Sequence, residues 1–415
     1  MIFNNFFKKE TKLDYQHRIA LDIGTEYVKA MIVKFNQNNS EIIGYSRVKQ
    51  DYINMEGGAI SNIEEVIKIC HKAIEEAVAM ADYSPTEIVI GIAGEFVKGI
   101  VTQMNHTRSI PKKKIKRKEI DALVKKAQKS ALKSVQQELL EDIGLENIKV
   151  ELVNSSVVEM KIDGYKVTNP EQFQGKNLEV TVFNTFAPLV HVGALETIAL
   201  RLGYNLVGII AEPFSIAKSI MSNEAYEFGA IVIDIGGGTT DIALIRNGGI
   251  EGTKMFSLAG RDFTKSLARN FNLTLEDAEK LKVAYSSSES ELPSKEIEAV
   301  LKPDLDLLYE GIEVALASLA KSEALPQRVY LCGGGSALSG LFDGIRQRKM
   351  YENLPFFKRP EIRLLEAQDI EGIEDKVDLL KGAENVTPKS LALQSTKVKE
   401  VEDHSIFQKI VANFG

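Results

Sequence analysis

The chain has 415 residues, of which 44% are hydrophobic and 26% charged, proportions that are ordinary for a protein with a substantial buried core. Its net charge is −7 and its isoelectric point is near 5.6, which argues against nucleic acid as the main partner. Its two cysteines are far apart and lack metal-type spacing, so a disulfide framework and a zinc site are disfavoured. No apolar run reaches the roughly 18 residues of a membrane span, and we expect a cytoplasmic protein.

Strand-like and helix-like segments alternate along the chain, which favours an α/β class. In chain order, the pattern predicts strands over 18–23, 28–34, 41–48, 87–93, 148–153, 157–162, 178–184, 206–210, 230–235 and 328–332. Helices are predicted over 63–81, 118–140, 189–202 and 294–322. Residues 366–403 are acidic and rich in turn formers, so the prediction there is partial order at best.

One repeated pattern points to a phosphate site. Residues 20–32 are echoed by residues 233–245, and each copy is an apolar strand, an Asp-Ile-Gly turn with hydroxyl side chains, and a second apolar strand. Each copy therefore predicts a β-hairpin. A Gly-Thr turn exposes backbone N–H groups and hydroxyls to a phosphate, and the preceding Asp can hold a hydrated Mg²⁺. Two facing hairpins would hold a triphosphate from both sides.

The predicted roles in this site follow from the repeat. Asp22 and Asp234 are expected to hold Mg²⁺ through water. The predicted phosphate-binding residues are Asp22, Gly24, Thr25, Lys29, Gly236, Gly237, Gly238, Thr239 and Thr240.

Three further segments fit a nucleotide site. A strand runs into Gly333, Gly334, Gly335 and Ser336, and such a glycine loop lets the backbone approach a base closely. Glu279 and Lys282 lie three residues apart on a predicted helix, on one face, where they suit adenosine; a surface ion pair is the alternative. Glu212 follows a strand and begins a helix. It is a candidate to orient attacking water, or else it only favours the helix N-terminus.

This order of motifs resembles the actin-like ATPase superfamily. Within the superfamily the chain is most similar to FtsA, the bacterial division protein, through residues 89–99, 163–180, 258–264 and 278–282. The resemblance implies an α/β fold of two RNase H-like lobes around an ATP cleft, with an inserted small α+β subdomain of SHS2 type, called 1C in FtsA. It also places Glu212 where Hsp70-type relatives carry a hydrolysis-linked Glu.

The resemblance implies the following division of the chain. The segments are an N-terminal amphipathic segment (1–17), lobe 1 (18–86), the 1C insertion (87–186), the rest of lobe 1 (187–225), lobe 2 with a reduced 2B subdomain (226–345), a return to lobe 1 (346–395), and a linker with an amphipathic helix (396–415).

The expected function is that of an ATP-dependent scaffold of cell division. The resemblance implies polymerisation with itself at the inner face of the cell membrane, binding of ATP and Mg²⁺, slow hydrolysis at most, tethering of the FtsZ C-terminal tail, and contacts with other divisome proteins through 1C. Two alternatives stay open. One is a PilM-like assembly protein of type IV pili, because only about a dozen residues separate Lys282 from the next long helix. The other is a small-molecule kinase of the superfamily.

Both ends of the chain and one internal stretch suggest membrane contact. Residues 107–134 contain eleven Lys or Arg and two acids, which predicts a solvated helix face or a contact with acidic lipid or an acidic partner. Short apolar stripes at both ends suit weak membrane binding, or packing on the body of the chain. The predicted C-terminal membrane residues are Ile406, Phe407, Ile410, Val411 and Phe414.

Overall fold

The computed structural model describes residues 15–398 except 95, 145–147, 221–222, 247, 291, 322 and 349. The predicted N-terminal segment falls almost wholly outside these residues, and so do the five C-terminal membrane residues. Among the described residues, no helix combines the length and apolarity needed to cross a bilayer.

The first half of the chain alternates strands and helices as predicted. Its elements are β1 (Gln16–Ile23), β2 (Tyr27–Phe35), β3 (Ser40–Lys49), β4 (Met55–Glu56), β5 (Ala59–Ile60), α1 (Ile63–Ala81), β6 (Glu87–Ile92), β7 (Lys98–Thr107), α2 (Arg117–Ile143), β8 (Val150–Ile162), β9 (Tyr165–Lys166), β10 (Asn177–Pro188), α3 (Leu189–Leu202), β11 (Asn205–Ala211) and α4 (Glu212–Ser219).

The second half repeats this alternation. Its elements are α5 (Asn223–Phe228), β12 (Ala230–Ile235), β13 (Thr240–Arg246), β14 (Gly249–Phe256), α6 (Gly260–Phe271), α7 (Leu275–Ser286), α8 (Ser294–Ala320), β15 (Arg328–Cys332), α9 (Leu341–Gln347), α10 (Met350–Asn353), β16 (Glu361–Leu364), β17 (Glu374–Asp375) and α11 (Val386–Ser395).

Two sheets share one strand order. The first sheet runs β11-β6-β1-β2-β3-β17, and the second contains β16-β15-β12-β13-β14. In each, an antiparallel meander of three strands is extended by two parallel strands on the side of its first strand. Helices cover both faces of these sheets. The central strands are therefore buried on both sides, and their sequences are almost continuous apolar runs. The sheets define two lobes, lobe 1 and lobe 2.

A smaller unit lies between β6 and α3. Strands β7, β10, β8 and β9 pair antiparallel, and α2 packs on them through Leu123, Val124 and Ala127. A single residue pair, Thr253 with Gly99, joins this sheet to β14 of lobe 2. The predicted start of this insertion at residue 87 is too early, because β6 is an internal strand of the first sheet and pairs with both β1 and β11.

Two predicted strands, 148–153 and 157–162, form one strand, β8. The polar residues between them suggested a turn, but their side chains bond to neighbouring elements instead. Asn154 Oδ1 accepts a hydrogen bond from the Ala211 N–H at 2.7 Å, and Ser155 Oγ donates to Asn184 Oδ1 at 2.8 Å. The first contact fastens the insertion to the end of β11, and the second joins β8 to β10.

Within the described residues, 366–398 form regular structure, contrary to the prediction of partial order over 366–403. Strand β17 pairs with β3, and α11 is buried on nearly every side between α4 and β1. Arg18 secures the far end of this segment, because its guanidinium donates to the carbonyls of Ser395 and Val398 while pairing with Glu87. Four of the acidic residues that suggested disorder precede α11 and are exposed: Asp369, Glu371, Glu374 and Asp378.

Candidate nucleotide-binding site

The two repeated hairpins close their turns with the same hydrogen bond. In the β1–β2 turn the Gly24 N–H donates to the Tyr27 carbonyl at 3.1 Å, and in the β12–β13 turn the Gly236 N–H donates to the Thr239 carbonyl at 2.8 Å. The turns face each other across a cleft between the lobes. A Cβ added to Gly238 would lie 2.6 Å from Thr25 Oγ1, so only glycine allows this approach.

Most of the predicted site residues line this one cleft. They are Asp22, Gly24, Thr25, Lys29, Glu212, Asp234, Gly236, Gly237, Gly238, Thr239, Glu279, Lys282, Gly333, Gly334 and Gly335. Thr240 and Ser336 are absent from the lining. The Thr240 hydroxyl donates to the Leu258 carbonyl at 2.7 Å, and the Ser336 hydroxyl donates to the Gly333 carbonyl at 2.6 Å. Both hydroxyls are thus engaged by backbone carbonyls, and contact of these two residues with a ligand stays a prediction.

Three carboxylates converge at the bottom of the cleft. Oxygens of Glu212, Asp234 and Asp241 all lie within 4.8 Å of one another. Asp234 accepts a hydrogen bond from Thr387 Oγ1 at 2.5 Å and Asp241 accepts one from Thr239 Oγ1 at 3.2 Å. The second oxygen of Asp241, Oδ1, is buried and has no hydrogen-bond partner among the described atoms. An orphaned carboxylate oxygen beside two other carboxylates fits a divalent cation.

Burial and mutual repulsion raise the pKa values of this cluster. The pKa of Glu212 is held well above its usual range, first by burial and then by the charges of Asp22, Asp241 and Asp234. Burial, with the charge of Asp234, also raises the pKa of Asp241 well above its usual range. For Asp234, burial raises the pKa and the Thr387 hydrogen bond opposes the rise. The described residues around the cluster therefore supply too little positive charge to balance its three carboxylates.

The fourth acid, Asp22, has a different environment. Its carboxylate lies 3.7 Å from Lys29 Nζ, and the same ammonium donates to the Glu384 carbonyl at 2.6 Å. The prediction placed the cation between Asp22 and Asp234, but Asp22 lies outside the group of three converging carboxylates. The reason is the cross-strand partner: Asp22 is paired with Lys29 in register, whereas Asp234 is paired with Asp241.

Helix α7 and the glycine loop after β15 complete the lining of the cleft. Lys282 Nζ lies 2.7 Å from Glu279 Oε2 and donates to the Gly260 carbonyl at 2.8 Å, so both side chains are fixed on one face of α7. Gly333 has φ of +85°, and a Cβ there would lie 2.1 Å from Asp234 Oδ1. This close approach brings the glycine loop against the end of β12.

Known proteins share this fold, and some of them are similar to this chain in sequence over most of its length. A family model described as "Cell division protein FtsA" matches residues 231–387, and one described as "MreB/Mbl protein" matches residues 164–287. FtsA of Bacillus subtilis is 23% identical over 78% of this chain and 74% of its own, and FtsA of Neisseria meningitidis is 24% identical over 86% of each.

Solved structures agree on the fold. The PilM-PilN type IV pilus biogenesis complex superposes with a TM-score of 0.64 at 19% identity, covering 91% of this chain and 98% of that one. MreB 5 of Spiroplasma citri bound to AMPPNP superposes with a TM-score of 0.50 at 13% identity, covering 92% and 96%. The chain has the actin-like ATPase fold, and it resembles FtsA.

One residue that sequence reasoning missed, Arg261, links the two lobes of this actin-like fold. It lies in the first turn of α6, whose Gly260 and Arg261 N–H groups donate to the carbonyls of Gly236 and Gly237. Its guanidinium crosses the cleft, pairs with Glu26 at 2.9 Å and donates to the Thr25 carbonyl at 2.5 Å. It also donates to two further carbonyls of lobe 1, those of residues 52 and 55. Backbone acceptors leave no pattern in the sequence, so only the position of Arg261 within a recognised motif could have drawn attention to it.

Asp241 was also missed, although the sequence contained the signal. The repeat aligns Asp241 with Lys29, and both occupy the strand position opposite the Asp of their hairpin. Reading the hairpin register together with the repeat would have placed a second carboxylate beside Asp234.

Proposed function

We propose that this chain is an ATP-binding, actin-like scaffold of bacterial cell division that polymerises at the cytoplasmic face of the membrane and tethers the FtsZ ring. The observation that carries the nucleotide part is the pair of facing hairpins with three converging carboxylates between them. The division part is supported by the similarity to FtsA over most of the chain.

Each part of the cleft has a proposed task. The hairpin turns would bind phosphates through backbone N–H groups and Thr25, with Lys29 as the nearby cation. Glu279 and Lys282 would hold the ribose, and the loop 333–335 would hold the base. Glu212, Asp234 and Asp241 would hold Mg²⁺, directly or through water, and the bound ion would neutralise phosphate charge. Glu212 would orient water in a slow hydrolysis, whose main effect is on lobe closure.

The proposed partners follow from the resemblance. They are the FtsZ C-terminal tail, further copies of the chain, the lipids of the cytoplasmic membrane, and other division proteins through the inserted subdomain. The chain leaves little room for a separate 2B subdomain, because residues 287–293 alone join α7 to α8. In FtsA that subdomain carries the FtsZ site, so the FtsZ tail would have to dock on a different part of this chain.

A second candidate function is favoured by the same short connection and by the TM-score of 0.64 with the PilM-PilN complex. In this alternative the chain is an ATP-binding assembly protein that binds a short peptide of a pilus membrane protein, and it has no role in division.

The test is fluorescence anisotropy with two labelled peptides, the FtsZ C-terminal tail and the N-terminal cytoplasmic peptide of a PilN-type protein. ATP loading is measured first, with an Asp234→Asn variant as the control for the cleft. Saturable binding of the FtsZ tail alone supports the division scaffold. Binding of the pilus peptide alone contradicts it and moves the chain to the pilus class. Normal peptide binding without any ATP binding would contradict the nucleotide part alone.

A further inference from the structure

The exposed face of α2 is strongly basic. With 3.6 residues per turn, its five outward lysines fall within about 100° of arc and cover about 22 Å of the helix axis. They are Lys118, Lys125, Lys126, Lys129 and Lys133, and each is exposed. Four more exposed lysines precede the helix: Lys112, Lys113, Lys114 and Lys116. These nine residues are called the basic face below.

The segment before α2 is held in place, so its lysines have a fixed position. Ile115 is fully buried in the core of the insertion, and its N–H donates to the Phe173 carbonyl at 2.8 Å. The buried Arg108 donates to the Lys113 carbonyl at 2.7 Å and to the Gly175 carbonyl at 2.9 Å. The lysines flank this anchor and point away from the core.

No acid neutralises the basic face within the described part of the chain. None of its nine lysines forms an ion pair with a described carboxylate, and three acids of α2 pair with other residues. Glu119 pairs with Arg108, Asp121 with Arg117, and Glu138 with Lys254 of lobe 2. This patch of unbalanced positive charge lies on a chain whose net charge is −7.

The charge pattern opposes helix stability. Lys125, Lys129 and Lys133 repeat every four residues, and like charges at this spacing repel one another. The lysines before and in the first turn lie at the positive end of the helix dipole, where cations are unfavourable. Folding of α2 therefore gains nothing from these lysines, whereas an anionic surface outside the molecule would relieve both effects.

The shape of the basic face favours an extended anionic surface. The face is the convex outer side of a helix, and its nine lysines line neither the nucleotide cleft nor the groove at the start of α2. Its cations are lysines, which act as hydrated point charges rather than as bidentate forks that select one carboxylate. Juxtaposed lysines of this kind are attracted to membranes that contain acidic lipid.

The end of the described chain and the start of α2 line the same groove. Arg117 and Ile120, at the start of α2, line one groove together with Lys397 and Val398. Val398, the last described residue before the predicted membrane stripe in the sequence, therefore lies at a groove that the first turn of α2 also lines. We propose that the basic face binds the headgroups of anionic lipids and sets the orientation in which this chain lies on a bilayer. The proposal deepens, and rests on, the membrane association in the proposed function.

The experiment is co-sedimentation of the full-length chain with phosphatidylcholine vesicles, with and without phosphatidylglycerol. The test variant replaces four lysines, Lys125→Gln, Lys126→Gln, Lys129→Gln and Lys133→Gln. A matched control makes the same charge change elsewhere, at the exposed lysines Lys72, Lys295, Lys302 and Lys358. A third variant changes the four test lysines to Arg.

We expect the chain to bind vesicles with phosphatidylglycerol in a salt-dependent manner, and the test variant to bind them roughly tenfold or more weakly. The matched control and the Arg variant should bind as the parent does. Equal loss in the test variant and the matched control would overturn the proposal, since net charge alone would then explain binding. Absence of any preference for anionic vesicles in the parent chain would also overturn it.

Two further measurements separate this proposal from the proposed function. A Phe407→Ser, Phe414→Ser variant tests the C-terminal stripe. If this variant no longer binds vesicles while the lysine variant binds normally, the proposed membrane association is upheld and the lipid-binding role of the basic face is overturned. ATP binding is measured in every variant and should not change. If a labelled polyglutamate peptide needs the four lysines while vesicle binding does not, the face is a site for an acidic protein and the lipid proposal fails.

Discussion

Asp22 and Asp234 occupy equivalent places in two similar hairpins, yet the residues opposite them carry opposite charges. Lys29 lies opposite Asp22 and balances it, while Asp241 lies opposite Asp234 and adds to its charge. The first hairpin is therefore nearly neutral by itself, and the second needs an external cation. This asymmetry explains why two of the three converging carboxylates, Asp234 and Asp241, belong to lobe 2. Lobe 1 contributes the third, Glu212.

The raised pKa values of the cluster predict how stability varies with pH. In the nucleotide-free protein, carboxyls with raised pKa values keep protons that the unfolded chain has already released, so the folded state binds more protons. The free energy of unfolding should therefore fall as the pH rises from about 4 through the folded-state pKa values. Urea unfolding of the nucleotide-free protein without Mg²⁺ at a series of pH values measures this directly. Added Mg²⁺ should reduce the fall.

A Glu212→Gln variant removes one of the repelling charges. We expect it to be more stable than the parent near neutral pH, by on the order of 1 kcal/mol, and to lose less stability as the pH rises. The control is Glu276→Gln, because Glu276 is exposed on α7 and pairs with Lys280. A steeper fall in the Glu212→Gln variant than in the parent would contradict the cluster as described.

The contact between the two turns predicts the effect of a single methyl group. In a Gly238→Ala variant the new Cβ would lie 2.6 Å from Thr25 Oγ1, so the turns must separate. We expect ATP affinity to fall roughly tenfold, which corresponds to a misfit of about 1.4 kcal/mol. Isothermal titration calorimetry measures the affinity. Gly193→Ala is the matched control, since a Cβ at Gly193 in α3 meets no atom within 4 Å; equal losses in both variants would refute the steric argument.

At the scale of elements, the periodicity of apolar residues correctly predicted helices that have an apolar stripe of their own. Helix α1 spans the predicted residues because Val66, Cys70, Ala73, Ile74 and Ala77 form one apolar stripe, and the Asn62 side chain caps its first turn. Helix α3 also has the predicted limits. The two strands that merged into β8 could not be joined from sequence, because the partners of the polar residues between them lie on β10 and β11.

Helix α11 shows the opposite case. Its sequence mixes Thr, Pro, Lys, Gln and Ser with four aliphatic residues, so it has no apolar stripe that a periodicity argument could detect. It is helical because lobe 1 surrounds it on almost every side, which makes its environment rather than its pattern decisive. The acidic loops before it led the prediction towards disorder.

The burial of α11 predicts a large cost for truncating its side chains. Leu391 is 0% exposed and packs against the backbone of Gly91 on β6. A Leu391→Ala variant should lose about 3 kcal/mol of unfolding free energy in a urea titration. The control is Leu379→Ala, in the preceding loop, where the side chain is 48% exposed and the cost should stay within about 0.5 kcal/mol. Similar costs at both positions would mean that α11 does not form part of the core.

At the scale of the whole molecule, the repeat in the sequence predicted two lobes of like construction, and the shared strand order agrees with it. Most residues that line the cleft could be predicted, because glycine turns and acidic residues at strand ends are visible in the sequence of each hairpin by itself. What could not be predicted is how the lobes are held together. That depends on an arginine bonded to backbone carbonyls, and any residue type in those positions would supply the same acceptors.

The lobe-to-lobe contacts of Arg261 predict that it keeps the cleft closed. An Arg261→Ala variant would leave Glu26 without its partner and three carbonyls of lobe 1 without their donor. We expect the free energy of unfolding to fall by about 3 kcal/mol. Amide hydrogen exchange should become faster around residues 24–27 and 52–55, while the cores of both sheets stay protected. The cleft should also widen, seen as a larger radius of gyration in small-angle X-ray scattering.

The matched control for this clamp lies on the same helix. Arg269 is exposed in the last turn of α6, so Arg269→Ala removes the same charge without touching lobe 1. If both variants exchange alike, α6 stability rather than the clamp explains the effect. If ATP with Mg²⁺ restores slow exchange in Arg261→Ala, the nucleotide and the arginine close the same cleft independently. In the parent chain the arginine would then hold the lobes near the closed arrangement before nucleotide binds, which lowers the cost of closure that binding must meet.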